Sequence, residues 1–156
     1  MKLRRTVPDS VKAVADRRLA WGVTSDGVAL VASPASLYVD GEPLAWTAIE
    51  KVGWVTPLLR VTEIAEVEGA GTVHLWELEQ DHQLAETIRE RVTQSVGWSD
   101  VRKLTPSGAV RLVGRRVPGR DALLWQTVWQ QGTDPSDPFL RAQAEAHLDA
   151  LRKTIG

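Results

Sequence analysis

The chain has 156 residues, 43% of them hydrophobic and 25% charged, with a formal net charge of -1. Such a chain suits a globular protein that buries roughly two-thirds of its unfolded surface without a metal or disulfide staple. It contains no cysteine, which excludes thiolate zinc sites, iron–sulfur clusters, thiol nucleophiles and disulfides.

The leading segment Met1-Lys2-Leu3-Arg4-Arg5-Thr6-Val7-Pro8-Asp9 is basic and lacks the apolar run a signal peptide needs. No stretch approaches the ~18 apolar residues of a membrane span. A cytoplasmic protein with no membrane partner is therefore expected. Charge is unevenly spread, with a balance of +4 over residues 1–20, -9 over 21–100 and +4 over 101–156. Seven tryptophans stand against one tyrosine and one phenylalanine, and tryptophan belongs mostly to cores and interfaces.

A short lead, Ser10 to Asp16, has room for one or two helical turns. Strand-like material follows. Leu19, Trp21 and Val23 alternate with Ala20, Gly22 and Thr24, the pattern of a half-buried strand. Ser25-Asp26-Gly27 predicts a hairpin turn, with Val28 to Ala32 returning. Pro34-Ala35-Ser36 breaks that strand, and Leu37-Tyr38-Val39 runs into a second turn at Asp40-Gly41. Leu44 to Trp46 follows, then Ile49 to Trp54, then Leu58 to Ile64 beyond Pro57. Gly69-Ala70-Gly71 leads to a strand from Thr72 to about Glu79.

Asp81 is placed to cap a helix whose apolar face holds Leu84, Ile88, Val92 and Val96, opposite Glu86, Arg89, Glu90 and Gln94. Residues 100–130 return to strands. In Val110 to Val117, Val110 and Leu112 oppose Arg111, Val113 and Arg115. After Pro118-Gly119, the segment Leu123 to Gln130 sets Leu123, Trp125, Thr127 and Trp129 against Leu124, Gln126, Val128 and Gln130. Asp137-Pro138 forms an N-cap and N1 pair. The last helix carries Leu140, Ala144, Leu148, Leu151 and Ile155 on one face.

The expected fold class is α+β: a small antiparallel barrel or sheet of about seven strands closed by a helix, then a β-hairpin and a C-terminal helix. The chain is expected to form a single compact unit, residues 17–97 making the barrel and helix and 100–155 a strand–strand–helix extension. Seven strands and a helix are the element order of a pleckstrin-homology-like barrel, in which the helix plugs one open end.

Several segments together resemble a family of uncharacterised actinobacterial proteins. They are Leu19-Ala20-Trp21, Ala35-Ser36-Leu37-Tyr38, Leu44-Ala45-Trp46, Leu59-Arg60-Val61-Thr62, Arg89-Glu90-Arg91-Val92-Thr93 and Val113-Gly114-Arg115-Arg116. The loop Gly132 to Pro138 and the final helix complete the pattern. The resemblance spans almost the whole chain, implies a bacterial cytoplasmic origin, and implies no activity. Lipid-binding members of the pleckstrin-homology family use basic residues around the first hairpin. Here that turn is Ser25-Asp26-Gly27, and Arg17 and Arg18 lie at the far end of the strand.

Catalytic and cofactor signatures are missing. His74, His82 and His147 form no metal-binding pattern. No dinucleotide or P-loop glycine motif and no serine-nucleophile elbow occurs, and Asp134 and Asp137 suit turn and cap better than calcium. Acids crowd Glu63, Glu66, Glu68, Glu77, Glu79 and Asp81. Pairing of the strands that carry Glu63 and Glu77 would bring those two carboxylates together for acid/base work or Mg²⁺, whereas a solvated hairpin edge explains the crowd without chemistry. No catalytic residue, cofactor or metal is assigned.

The remaining feature is basic. Arg111, Arg115, Arg116 and Arg120, with Arg102 and Lys103 upstream, are candidates to grip phosphate or carboxylate groups, with Trp129 or Trp125 adding stacking. The plain alternative is a set of exposed arginines paired with the acidic middle of the same chain. The expected function is a non-enzymatic module that presents a sheet edge and a tryptophan-containing face to a protein partner. The alternative is a nucleic-acid-binding accessory protein using the arginines.

Overall fold

The computed structural model of the chain describes residues 6–64, 71–78, 82–117 and 121–155. Among these residues it is an α+β protein with three small antiparallel sheets of four, three and three strands. The chain divides into two compact units, Met1–Thr62 with Val73–Val92, and Glu63–Thr72 with Thr93–Gly156.

The first unit opens with helix α1, Asp9–Lys12, followed by strands β1 (Ala20–Val23), β2 (Ala29–Ala32), β3 (Ser36–Val39) and β4 (Glu42–Ala45). These four pair in chain order. Both expected turns form. At the first, Gly27 has φ +88°, and Thr24 Oγ1 accepts a bond from the Val28 amide at 2.9 Å. At the second, Asp40 and Gly41 have φ +47° and +84° between the paired residues Val39 and Glu42. Positive φ at both central residues matches the twist of a two-residue hairpin, which Asp-Gly tolerates. The Asp40 carboxylate also accepts the Ala29 amide at 2.7 Å, tying the turn to β2.

All four residues of β2 are buried, because this sheet is covered on both faces. Leu30 and Ala32 join the main core of the unit. Ala29 and Val31 face the other way and pack with Val11 and Val14 of the leading segment, beside Trp21 and Tyr38.

A 3₁₀ turn, Trp46–Ala48, leads to β5 (Ile49–Val55), β6 (Leu58–Glu63) and β7 (Val73–Glu77). The three form their own sheet in that order. The barrel expected from the sequence is therefore not closed. Among the described residues no ladder joins β4 to β5, because the 3₁₀ turn redirects the backbone before pairing can continue. Helix α2, His82–Gln94, contributes Leu84, Ala85, Ile88 and Val92 to one core with Leu30, Leu37, Trp46, Ile49, Leu59, Val61, Trp76 and Leu78. The apolar face read from the sequence holds for its first three members. Val96 leaves the helix, and the expected cap Asp81 lies outside the described residues.

The second unit contains β8 (Val96–Lys103), β9 (Ala109–Arg116), β10 (Leu123–Trp129) and α3 (Pro138–Ile155), with β9 central. The expected hairpin is thus a three-stranded sheet. Its extra strand starts where the helical periodicity still reads on through Val96. A register shift between Val96 and Trp98 accommodates Gly97, where an added Cβ would sit 2.8 Å from Leu123 Cδ2.

Helix α3 packs through Leu140, Ala144 and Leu151 on Val110 and Leu112, with Trp98, Trp125, Trp129 and Leu148 around them. Ile155, expected on that face, is 41% exposed. Gln143 holds the preceding β8–β9 turn by accepting the Thr105 amide at 2.9 Å and donating to its carbonyl at 2.7 Å. The helix start follows its sequence signal. Asp137 Oδ1 accepts the Phe139 amide at 2.9 Å, with Pro138 in the first helical position. Replacing Asp137 by alanine is expected to cost about 1 kcal/mol of stability, read as a lower urea midpoint with an unchanged slope.

Candidate interaction surface

The alternation in β9 splits the arginines between two sheet faces. Cross-strand register places Gly114 between Trp98 and Trp125, on the face that α3 covers. An added Cβ there would lie 3.2 Å from Trp125 Cζ3. The absent side chain leaves room for the two indoles to meet edge to face, with centroids 5.7 Å apart. Arg116 shares that parity and is exposed.

Arg111 and Arg115 share the opposite face, as their spacing requires, but their surroundings differ. Arg111 is exposed and donates to Ser99 Oγ at 3.0 Å. Arg115 is only 2% exposed. Its Nε donates to Gln126 Oε1 at 3.1 Å and its terminal nitrogen to Ser95 Oγ at 2.7 Å. A guanidinium so engaged is a framework group. Arg120 and the Pro118-Gly119 turn lie outside the described residues. Upstream, Arg102 pairs with Asp100 at 3.3 Å, and Lys103 is exposed.

Trp129 and Trp125 are on the α3 side of the sheet, whereas Arg111 and Arg115 are on the other. Stacking beside those two arginines is therefore ruled out by register. All seven tryptophans belong to packing clusters. Trp46 and Trp76 are buried and Trp54 half-buried in the first core. Trp21 lies beside α1, and Trp98, Trp125 and Trp129 lie around α3. Two of the seven are buried and five half-buried. Packing therefore takes up part of the tryptophan surplus, and the five half-buried rings keep some surface in solvent.

The carboxylates of Glu63 and Glu77 do not meet either. In the β6–β7 ladder Glu77 pairs with Leu58 and Val73 with Thr62. Glu63 is at the far end of β6 from Leu58, a strand length of roughly 16 Å. Glu66, Glu68, Glu79 and Asp81 lie outside the described residues. Among the described residues no group of three His, Asp or Glu side chains could hold a metal ion. His74 stacks on Trp76 with centroids 4.8 Å apart, and His147 is half-buried in α3. Asp134 accepts both the hydroxyl and the amide of Ser136, at 2.6 and 2.9 Å. Those bonds lower its pKa below the usual aspartate value, as expected of a turn residue.

A surface that sequence reasoning missed lies on the outer face of β5–β7. The inward positions Leu59, Val61, Trp76, Val52 and Trp54 serve the core, so the alternate positions face outward. Several of these are apolar: Val55 is 78% exposed, Leu75 61%, Val73 45% and Leu58 42%. Lys51, Arg60 and Glu77 share that face and are also exposed. The alternation of β7 carried a signal, since Val73, Leu75 and Glu77 all fall opposite Trp76. What the sequence did not reveal is which of the two faces is covered. Among the described residues no helix is long and apolar enough to cross a membrane. Compared with family models, curated proteins and solved structures, the chain matches none.

Proposed function

We propose that the chain is a non-enzymatic, cytoplasmic protein-interaction module that docks a partner on the outer face of β5–β7. The observation that carries this reading is the group Val55, Leu58, Val73 and Leu75, exposed together on one sheet face. Apolar side chains grouped on a sheet are a stronger sign of a docking surface than singly scattered ones. Covering them with a partner recovers the hydrophobic free energy that solvent exposure forgoes.

The pleckstrin-homology-like part of the reading rests on element order alone, since the strands form separate sheets and close no barrel. Four strands, three strands and a helix follow one another around one core. Membership of the actinobacterial family that the sequence resembles belongs to the same proposal. The nucleic-acid alternative draws less support, because Arg115 is buried and Arg111 and Arg116 belong to opposite faces of their sheet.

The test is capture of tagged protein from a bacterial lysate, with and without nuclease, comparing wild type with Leu75→Glu. A protein partner that survives nuclease and is lost with Leu75→Glu is the expected result. Retention of every partner by the variant, or loss of every partner to nuclease, would remove the reading.

A further inference from the structure

We propose that the partner seated on the outer face of β5–β7 is a second copy of this chain, forming a two-fold symmetric dimer. This rests on the reading of that face as a docking surface and names its occupant.

The argument comes from register. Leu58 pairs with Glu77, and two residues along the same ladder Arg60 pairs with Leu75. Directly paired residues point to the same side of a sheet, as do residues two apart. The four side chains therefore form a quartet on the outer face, with leucines on one diagonal and opposite charges on the other. All four are exposed.

A dimer with a two-fold axis is made of one patch meeting itself. An axis lying along the Leu58–Leu75 diagonal sets each leucine on its own counterpart. It also exchanges the ends of the other diagonal. Arg60 of one copy then faces Glu77 of the other, and Glu77 faces Arg60, so both charges find partners at once. Val55 extends the apolar line. Gly53 lies beside Arg60, an added Cβ being 3.9 Å from the Arg60 Cβ. Val55, two residues on, therefore shares the face next to Leu58. The quartet is complementary to itself in charge and in polarity, as a two-fold contact requires.

Sedimentation velocity across a concentration series tests this on the full chain. Wild type is expected to show a concentration-dependent monomer–dimer equilibrium. Arg60→Glu sets two glutamates against each other twice in the dimer, and Glu77→Arg does the same with arginines. Each variant alone is expected to weaken dimerisation at least about tenfold. Mixed in equal amounts they should recover dimer to near the wild-type level, because both cross-pairs in the mixed species are then attractive. Recovery on mixing separates an intermolecular pair from any effect on the folding of either variant.

A wild-type monomer at every soluble concentration would overturn the proposal. So would a dimer indifferent to both substitutions, or two weakened variants that fail to rescue each other. If wild type is monomeric and Leu75→Glu still loses a nuclease-resistant partner from lysate, only the identity of the occupant is wrong. If the chain is monomeric and no such partner is captured, the docking reading falls with it.

Discussion

Replacing Trp46 by alanine is expected to destabilise the protein by about 4 kcal/mol, enough to populate the unfolded state of a marginally stable domain. The indole is 4% exposed and lies in the main core of the first unit. Its Nε1–H donates to the Ser33 carbonyl at 2.9 Å. That carbonyl belongs to a compact turn in which Ser33 Oγ donates to the Ser36 carbonyl at 2.8 Å and accepts the Ser36 amide at 3.2 Å. Removal of the ring opens a cavity and orphans a buried acceptor in the same step. Trp46→Phe separates the two effects. It keeps most of the apolar volume and loses only the donor, so its cost should be about 1–3 kcal/mol. Urea denaturation followed by circular dichroism gives both numbers. An alanine variant that unfolds at the wild-type midpoint would show that Trp46 does not organise this core.

The second large effect is expected at Arg115. Substitution by alanine leaves Gln126 and Ser95 without the donors that now reach them at 3.1 and 2.7 Å. Hydrogen bonds from a charged group are worth about 1.5–3 kcal/mol, so a loss on the order of 3 kcal/mol is expected. Arg115→Lys should recover little of it, since an ammonium cannot span two acceptors as a planar fork does. In contrast, alanine at the exposed Arg116 should stay within about 0.5 kcal/mol of wild type. This pair also tests what the arginines are for. If Arg115→Ala keeps its stability but loses binding to nucleic acid or another anion, Arg115 is a ligand-contacting residue and the framework role is wrong.

These two residues show where reading the sequence succeeds and where it stops. The alternation of Arg111, Val113 and Arg115 against Val110 and Leu112 correctly placed the first three on one face of β9. It did not reveal that Arg111 would be exposed and Arg115 buried. Period-two alternation defines faces, whereas burial at each point along a face depends on what packs there. Trp46 presents the same case. Its membership of a Leu-Ala-Trp segment was visible, but its bond to Ser33 spans 13 residues and follows from how β2, β3 and the 3₁₀ turn come together.

Local chemistry alone determined a good part of this protein. Asp40-Gly41 at one turn and Gly27 at the other specified the chain reversal because few other residues tolerate positive φ. Asp137-Pro138 specified a helix start because its orphan amides need a side-chain acceptor. The stripes Leu84–Ile88–Val92 and Leu140–Ala144–Leu151 specified which helix faces would be buried. Only the tertiary structure decided the rest. The seven strands separate into two sheets because pairing ends at the 3₁₀ turn, and Val96 joins a strand because β9 offers it a ladder against its helical pattern. The tryptophans pack against the cores because the three sheets and the helices have apolar faces to cover. The outer face of β5–β7 emerges as the docking candidate because burial is settled between elements far apart in the chain, where no window of sequence reaches.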